Sequence, residues 1–288
     1  MSVLRNILGV SCFTLLSRLS GLLRDVLIFS VLGMGELNSA FLLAFTVPNL
    51  FRRLLGEGAL NSALIPIFSD EYHTNGQAQA FILLNKVLSR LICVLVGLIF
   101  VGCMVLFLGA FCETLSMRWR ICFVLSAILL PYMFFICLPA VFSAVLNVFG
   151  KFLLAAGNPI LLNLSMIFAV LIGMHWGEGA CVYGLCVGVL AGGAMQMALL
   201  WVGVRRFGWR FRFDRSGSGR IGEFQRLFFP GVIGAATVQV NIAVSRVLAY
   251  FVSSSAVSVL YLANRLMELP MGILVIAVMT VVFPRLSS

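Results

Sequence analysis

The sequence predicts an all-α polytopic membrane protein of about eight transmembrane helices, and three observations carry that expectation. Of its 288 residues, 61% are apolar and only 10% charged, whereas a soluble domain is usually about 25% charged. Mean hydropathy is +1.10. Four runs carry no charge at all, 91–112, 121–150, 152–174 and 179–204, and each meets the ~20 residues needed to cross a hydrocarbon core. Lipid, not water, is therefore the solvent for most of the surface. The 25 Phe and 27 Gly suit helices that turn bulky groups to lipid and bring small ones to each other.

The first expected span, roughly 5–32, begins at Arg5. Gly9-Val10-Ser11-Cys12 resembles a lipoprotein cleavage site, but only residues 7–10 are apolar before it and the chain runs on into Arg18 and Arg24. A cleaved signal is not expected. The second span, 37–68, contains Pro48 and the Arg52-Arg53 pair. The four uncharged runs supply the third to sixth. Of these, 179–204 carries Gly184, Gly188 and Gly192 at four-residue spacing, a face for close packing. The seventh and eighth spans, 227–252 and 256–286, are again interrupted by charge. The organisation is thus a six-helix lobe over 1–204, a basic loop at 205–226, and the first two helices of an incomplete second lobe at 227–288.

Lys/Arg placement orients the bundle. With the N-terminus inside, the inner ends carry Arg5, Lys86, Arg90, Lys151, seven Arg of the 205–226 loop and Arg285, against Arg118 and Arg120 outside. The N-terminus is therefore expected in the cytoplasm. Net charge is +10, which in a soluble chain would suggest nucleic acid; here the basic loop reads as an inside anchor touching anionic headgroups. No nucleic-acid partner is expected. Eight cysteines show no CxxC, and two histidines give a metal site almost no material, so neither a metal nor a cofactor is expected.

Arg18, Arg24, Arg52, Arg53, Arg246 and Arg265 fall inside spans. Six lipid-facing arginines would cost about 15–21 kcal/mol at ~2.5–3.5 kcal/mol each. Arg246 could escape by snorkelling to a membrane face; for the others a shared, water-filled cavity is the better account. Local acids can pair with some: Arg53 with Glu57 at i,i+4 and Arg265 with Glu268 at i,i+3. Asp25 shares a stripe with Arg18 and Gly21. Three acids, Asp25, Glu57 and Glu268, against six arginines leave the cavity net positive and suited to an anion. Arginine in place of lysine points to forked contact with phosphate or carboxylate. Pro48, Pro270, Gly56 and Gly58 sit beside these charges, as in broken helices that line a cavity.

An internal repeat is visible. Ile65-Pro66-Ile67-Phe68-Ser69 ends the second span and Phe283-Pro284-Arg285-Leu286-Ser287 the eighth, and each follows a helix with a Ser-Arg pair, Ser17-Arg18 and Ser245-Arg246. If the repeating unit is six helices, the second copy holds two, and the expectation is a truncated, N-terminal portion of a longer protein.

These residues carry a resemblance. Ser17-Arg18-x-x-Gly21-x-x-Arg24-Asp25 resembles the first helix of the MurJ/MviN family of lipid II flippases, in the MOP exporter superfamily. Phe45-x-x-Pro48-Asn49-Leu50-x-Arg52-Arg53-x-x-x-Glu57-Gly58-Ala59 resembles the second, and Arg265-Leu266-Met267-Glu268-x-Pro270-x-Gly272 the eighth. Asn147, Asn158-Pro159 and Leu162-Asn163 are similar to the fourth and fifth. The likeness spans the chain. It implies a fourteen-helix transporter, not an enzyme, with two six-helix lobes around a cationic cavity in the bacterial inner membrane. Its substrate there is undecaprenyl-pyrophosphate disaccharide-pentapeptide, moved from inner to outer leaflet for peptidoglycan synthesis. The family's cavity arginines match Arg18, Arg24, Arg52 and Arg265 as substrate-binding residues, with Ser17, Asp25, Asn49, Arg53, Glu57 and Glu268 in support. Ser39 and Asn264 stand where the family commonly has Asp, and Ser245 where some members carry an Asp implicated in sodium binding. The partners implied are lipid II and membrane lipids, with a second polypeptide as a means of completing the second lobe. The alternatives are another MOP-type exporter, for polysaccharide lipids or small molecules, or a non-transporting membrane fragment. A cation exporter would want an acid-rich cavity.

Overall fold

A computed structural model of the chain describes residues 2–54 and 60–267. Helix α1 is Ser2–Leu32, α2 Glu36–Phe51, α3 Leu60–Ala110, α4 Met117–Leu129, α5 Tyr132–Val148, α6 Phe152–Gly173, α7 Glu178–Arg205 and α8 Gly219–Val252. A shorter apolar helix, α9, follows at Ala256–Met267. Five stretches are long and apolar enough to cross a membrane: 62–110, 117–148, 152–176, 178–205 and 219–252. Helix α1 is long enough as well but carries Arg18, Arg24 and Asp25.

The differences from the expected spans have local causes. The second span is interrupted: α2 closes through a π turn at 52–54, and helix resumes at Leu60. Pro48 inside α2 offers no N–H to the carbonyl one turn back, which loosens the ladder just before that turn. Helix α3 would be about 75 Å long if straight, far more than a bilayer needs. It bends at Gly76, whose φ of 84° and ψ of 171° lie where a side chain would be strained. The uncharged run at 121–150 is divided at Leu130-Pro131, giving α4 and α5. Helix α8 begins at Gly219, eight residues before the sequence-predicted 227, because charged residues can continue a helix into water.

The bundle has two packed regions. One joins α2, α4, α5 and the first half of α7 through Phe41, Phe45, Leu125, Tyr132, Leu185 and Val189. The other joins the first half of α3 to α5 and the end of α7 through Leu64, Phe68, Leu84, Val141, Phe142 and Leu200. Gly188 and Gly192 of α7 lie against α6: an added Cβ would fall 2.6 Å from Ala169 Cβ and 3.0 Å from Leu162 Cα. The four-residue glycine spacing is thus a packing face, as expected. Phe100 and Phe107 on α3, and Phe111 just after it, are exposed, as lipid-facing residues should be.

The basic connection is a folded strap. Trp209 is 1% exposed and donates its indole N–H to Asn85 Oδ1 at 2.9 Å. Asn85 Nδ2 donates in turn to the Arg210 carbonyl at 3.2 Å. Arg90 holds the carbonyls of Arg215 and Ser216, and Asp214 N–H donates to Ser89. The strap therefore lies along α3. Arg220, at the start of α8, meets Asp70, Glu71 and Glu223 at 2.6, 2.9 and 3.2 Å. At the other end of the bundle α4 meets the end of α8: Tyr250 OH donates to the Arg118 carbonyl at 2.8 Å, and the Arg118 guanidinium lies over the Tyr250 ring.

Candidate functional site

Between α1, α2, α5, α6, α7, α8 and α9 lies a cavity of about 780 Å³. Arg18, Arg24, Arg52, Arg53, Arg246 and Arg265 all line it, with Ser17, Gly21 and Asn49. Among the described residues of the lining none is acidic. The arginines come from four helices or their ends, so the tertiary fold gathers what the sequence scatters over almost 250 residues.

The cluster is built around Asp25, which is 5% exposed. Arg24, its neighbour in the chain, reaches Oδ1 with Nε at 3.0 Å and Nη2 at 2.6 Å. Arg265 Nε meets Oδ2 at 2.9 Å. Tyr261 donates its hydroxyl to Oδ1 at 3.2 Å. One carboxylate thus ties two arginines and joins α1 to α9. Arg24 Nη1 also donates to Asn163 Oδ1 at 3.0 Å. Asn163 is itself fixed by donating to the Ser17 carbonyl and Ser20 hydroxyl at 3.0 and 2.9 Å. Gly21 makes this close approach possible, since a Cβ there would stand 3.1 Å from Arg265 Nη2.

Arg246 does not snorkel. Its Nη1 donates to Thr46 Oγ1 at 2.8 Å and its guanidinium lies 5.6 Å from the Tyr261 ring centroid. It thus meets Thr46 and Tyr261, both lining residues, and the sixth arginine joins the cavity. The reason is that α8 packs on α2 there, offering a hydrogen-bond acceptor closer than the membrane face.

The cavity does not extend to the α4 end. On α2 its lining begins at Leu42, and one turn earlier Ser39 and Ser258 are both fully buried, with their hydroxyls 2.8 Å apart. Ser258 N–H also points at Ser39 Oγ, 3.3 Å away, so Ser39 caps the first turn of α9. Helices α2 and α9 are in direct contact here, beyond the limit of the lining.

Of the supporting residues expected from the sequence, Ser17, Asn49 and Arg53 line the cavity and Asp25 stands behind it. Glu57 and Glu268 lie outside the described residues, and with them the expected Arg53–Glu57 and Arg265–Glu268 pairs. Sequence reasoning did not single out Tyr132, Gln196 or Tyr261. The one signal available for them is a neutral polar group inside an otherwise apolar run. Among the described residues no group of three His, Cys, Asp or Glu could hold a metal ion.

The family model for the lipid II flippase MurJ matches residues 28–288. Among curated relatives, the chain is 32% identical to the probable lipid II flippase MurJ of Rhizobium meliloti (strain 1021), covering 100% of this chain and 55% of the relative. It is 31% identical to the corresponding Vibrio cholerae protein, over 99% of this chain and 57% of that one. It is also 31% identical to the lipid II flippase MurJ of Burkholderia cenocepacia, over 100% and 58%. The chain thus spans a little over half the length of these relatives. A solved structure of lipid II flippase MurJ in an inward closed conformation superposes with a TM-score of 0.77 at 24% identity, covering 95% of this chain and 57% of that one. It shares the fold.

Proposed function

The chain belongs to the lipid II flippase MurJ family, and from that membership we propose that its cavity receives the pyrophosphate of lipid II for transfer from the inner to the outer leaflet. The observation that carries this reading is the set of six arginines on one cavity, with a single described carboxylate, Asp25, tying two of them. Each guanidinium offers a planar fork of donors that matches phosphate oxygens. In a low-dielectric bundle, gathering positive charge is costly. A doubly charged anionic headgroup relieves that cost, whereas a cation would add to it.

The cavity lining stops short of the Ser39–Ser258 contact, which supports entry of a headgroup from the end that carries the strap. With the N-terminus cytoplasmic, as the Lys/Arg distribution favours, that end faces the inner leaflet, where the lipid precursor is made. Arg18, Arg24, Arg52 and Arg265 are the proposed phosphate contacts; Arg53 and Arg246 add field, while Ser17, Asn49 and Asp25 position the others. The step is carriage without covalent change. Release outside requires the Ser39–Ser258 contact to part and the α1–α9 contact to rearrange, in the manner of alternating access. The rest of a second lobe, whether on the same polypeptide or another, would be the body against which this one moves.

Binding of undecaprenyl pyrophosphate to the purified chain in nanodiscs tests the reading. The expected result is saturable binding that exceeds binding of neutral undecaprenol and weakens in Arg52→Ala and Arg265→Ala. Equal binding of the two lipids would overturn it.

A further inference from the structure

The cavity has a second kind of lining. Besides the arginines, α5, α6 and α7 bring Tyr132, Asn158 and Gln196 to it. None is charged, and Tyr132 and Asn158 are 0% and 8% exposed. Tyr132 OH and Asn158 Oδ1 are both buried without a hydrogen-bond partner. Burying a polar group unpaired costs free energy, and such groups are uncommon in folded proteins. Two of them on one cavity form a donor and an acceptor awaiting a ligand.

Both are held in place. The Tyr132 ring lies against Gly193, 2.7 Å from where a Cβ would be, and packs tilted on Phe45 with ring centroids 5.8 Å apart. Only glycine at 193 admits it. Gln196 Nε2 donates to the Asn158 backbone carbonyl at 3.0 Å, fixing α6 where Pro159 interrupts its ladder. Tyr132 also lies within electrostatic reach of Arg52 and Arg24. An anion on those arginines and a group on Tyr132 would therefore be neighbouring parts of one molecule.

We propose that Tyr132 and Asn158 form a neutral subsite for a secondary amide of the lipid-linked substrate. Asn158 Oδ1 accepts from the amide N–H, and Tyr132 donates its hydroxyl to the amide carbonyl. An amide supplies one donor and one acceptor and carries no charge to desolvate. The proposal rests on the pyrophosphate reading above, because that anchor brings the amide to this lining. An acetamido sugar and a peptide bond offer the same group, and the test separates them.

Affinities are measured for the whole chain in nanodiscs with three probes: undecaprenyl pyrophosphate glucose, undecaprenyl pyrophosphate N-acetylglucosamine, and undecaprenyl pyrophosphate N-acetylmuramyl-pentapeptide. Tyr132→Phe keeps the ring and its packing and removes only the hydroxyl; Asn158→Ala removes the acceptor. Each variant should weaken amide-bearing probes about tenfold, the usual worth of one hydrogen bond, and leave the glucose probe unchanged. Loss with both amide probes identifies the acetamido sugar; loss with the pentapeptide probe alone identifies the peptide. Equal weakening of all three probes, or no change in any, would overturn the subsite while leaving the pyrophosphate reading intact. Failure of the unaltered chain to bind any of the three would overturn both.

Discussion

Asp25 and Arg265, 240 residues apart, are joined at 2.9 Å, and the same carboxylate holds Arg24 at 2.6 Å. Two positive groups of the cavity are thus held by one carboxylate. On the proposed reading, a pyrophosphate entering the cavity would compete with Asp25 for Arg24 and Arg265. That reading links headgroup binding to the contact between α1 and α9 through a single side chain.

Asp25→Asn should destabilise the chain by about 2–3 kcal/mol. That is less than the ~3–5 kcal/mol for a fully buried pair, because the Arg265 side chain is 26% exposed and partly screened. Unfolding in mixed micelles with rising SDS measures it. The same variant should bind undecaprenyl pyrophosphate no more weakly than the unaltered chain, since a competitor for the arginines has gone. Weaker lipid binding would place Asp25 among the direct contacts instead.

Ser39 and Ser258 make the α2–α9 contact available to a covalent probe. Their hydroxyl oxygens are 2.8 Å apart, so Ser39→Cys with Ser258→Cys in a cysteine-free chain should form a disulfide under mild oxidation. The product is seen as a shift in mobility after cleavage between the two positions. The joined chain should still bind undecaprenyl pyrophosphate, because the cavity lies on the other side of this contact. No disulfide would mean that the two residues part for most of the time.

Local periodicity made the class and most spans legible, because a charge-free run of 22 or more residues leaves few alternatives. It also singled out all six cavity arginines, through the cost of leaving them in lipid. It could not pair them. Arg265 has Glu268 within one turn, yet the partner the fold supplies is Asp25 on α1, because helix-spacing rules see only neighbours on the same helix. Arg246 has no acid nearby in the chain, so snorkelling looked available; Thr46, 200 residues away, decides otherwise. Asn158-Pro159 entered only through the family resemblance, and Tyr132, one polar group in an apolar run, gave no signal of its own; the cavity lining is what brings them together.

The strap's hold on α3 rests largely on Trp209. Truncation of a buried tryptophan costs about 3–5 kcal/mol, and Trp209→Ala also strands the Asn85 acceptor. The segment should then open locally without global unfolding. Trypsin should cut at Arg210, Arg212 or Arg215 several-fold faster than in the unaltered chain, followed by mass spectrometry of the fragments. Unchanged cleavage would show that Arg90 and Ser89 hold the strap alone.

Orientation can be read from two single cysteines in a cysteine-free chain, with an impermeant thiol reagent on intact cells. Gly217 is a good position, as an added Cβ meets nothing within 4 Å. Gly177, between α6 and α7, is unsuitable because its φ is +90°; the adjacent Glu178 is exposed and replaces it. Glu178→Cys should label and Gly217→Cys should not until the membrane is permeabilised. The reverse pattern would place the strap outside and with it the proposed entrance of the cavity.

The arginines themselves distinguish charge from geometry. Arg24 spends its fork on Asp25 and Asn163, so its phosphate contact comes only with displacement of Asp25, whereas Arg52 sits at the π turn that ends α2. Arg24→Ala and Arg52→Ala should each weaken undecaprenyl pyrophosphate binding about ten- to hundredfold, the worth of a charge-assisted contact. In a full-length family protein carrying the same changes, flipping should fail while the protein still reaches the membrane. Arg52→Lys should recover less than half of the lost binding free energy, since an ammonium keeps the charge and loses the second prong. Arg24→Lys should recover still less, because a single ammonium cannot hold Asp25 and Asn163 together and the α1–α6 contact loosens as well. Full recovery by both lysines would mean that the cavity selects by net charge alone. Normal binding by the Arg24→Ala, Arg52→Ala double variant would remove the anion site altogether.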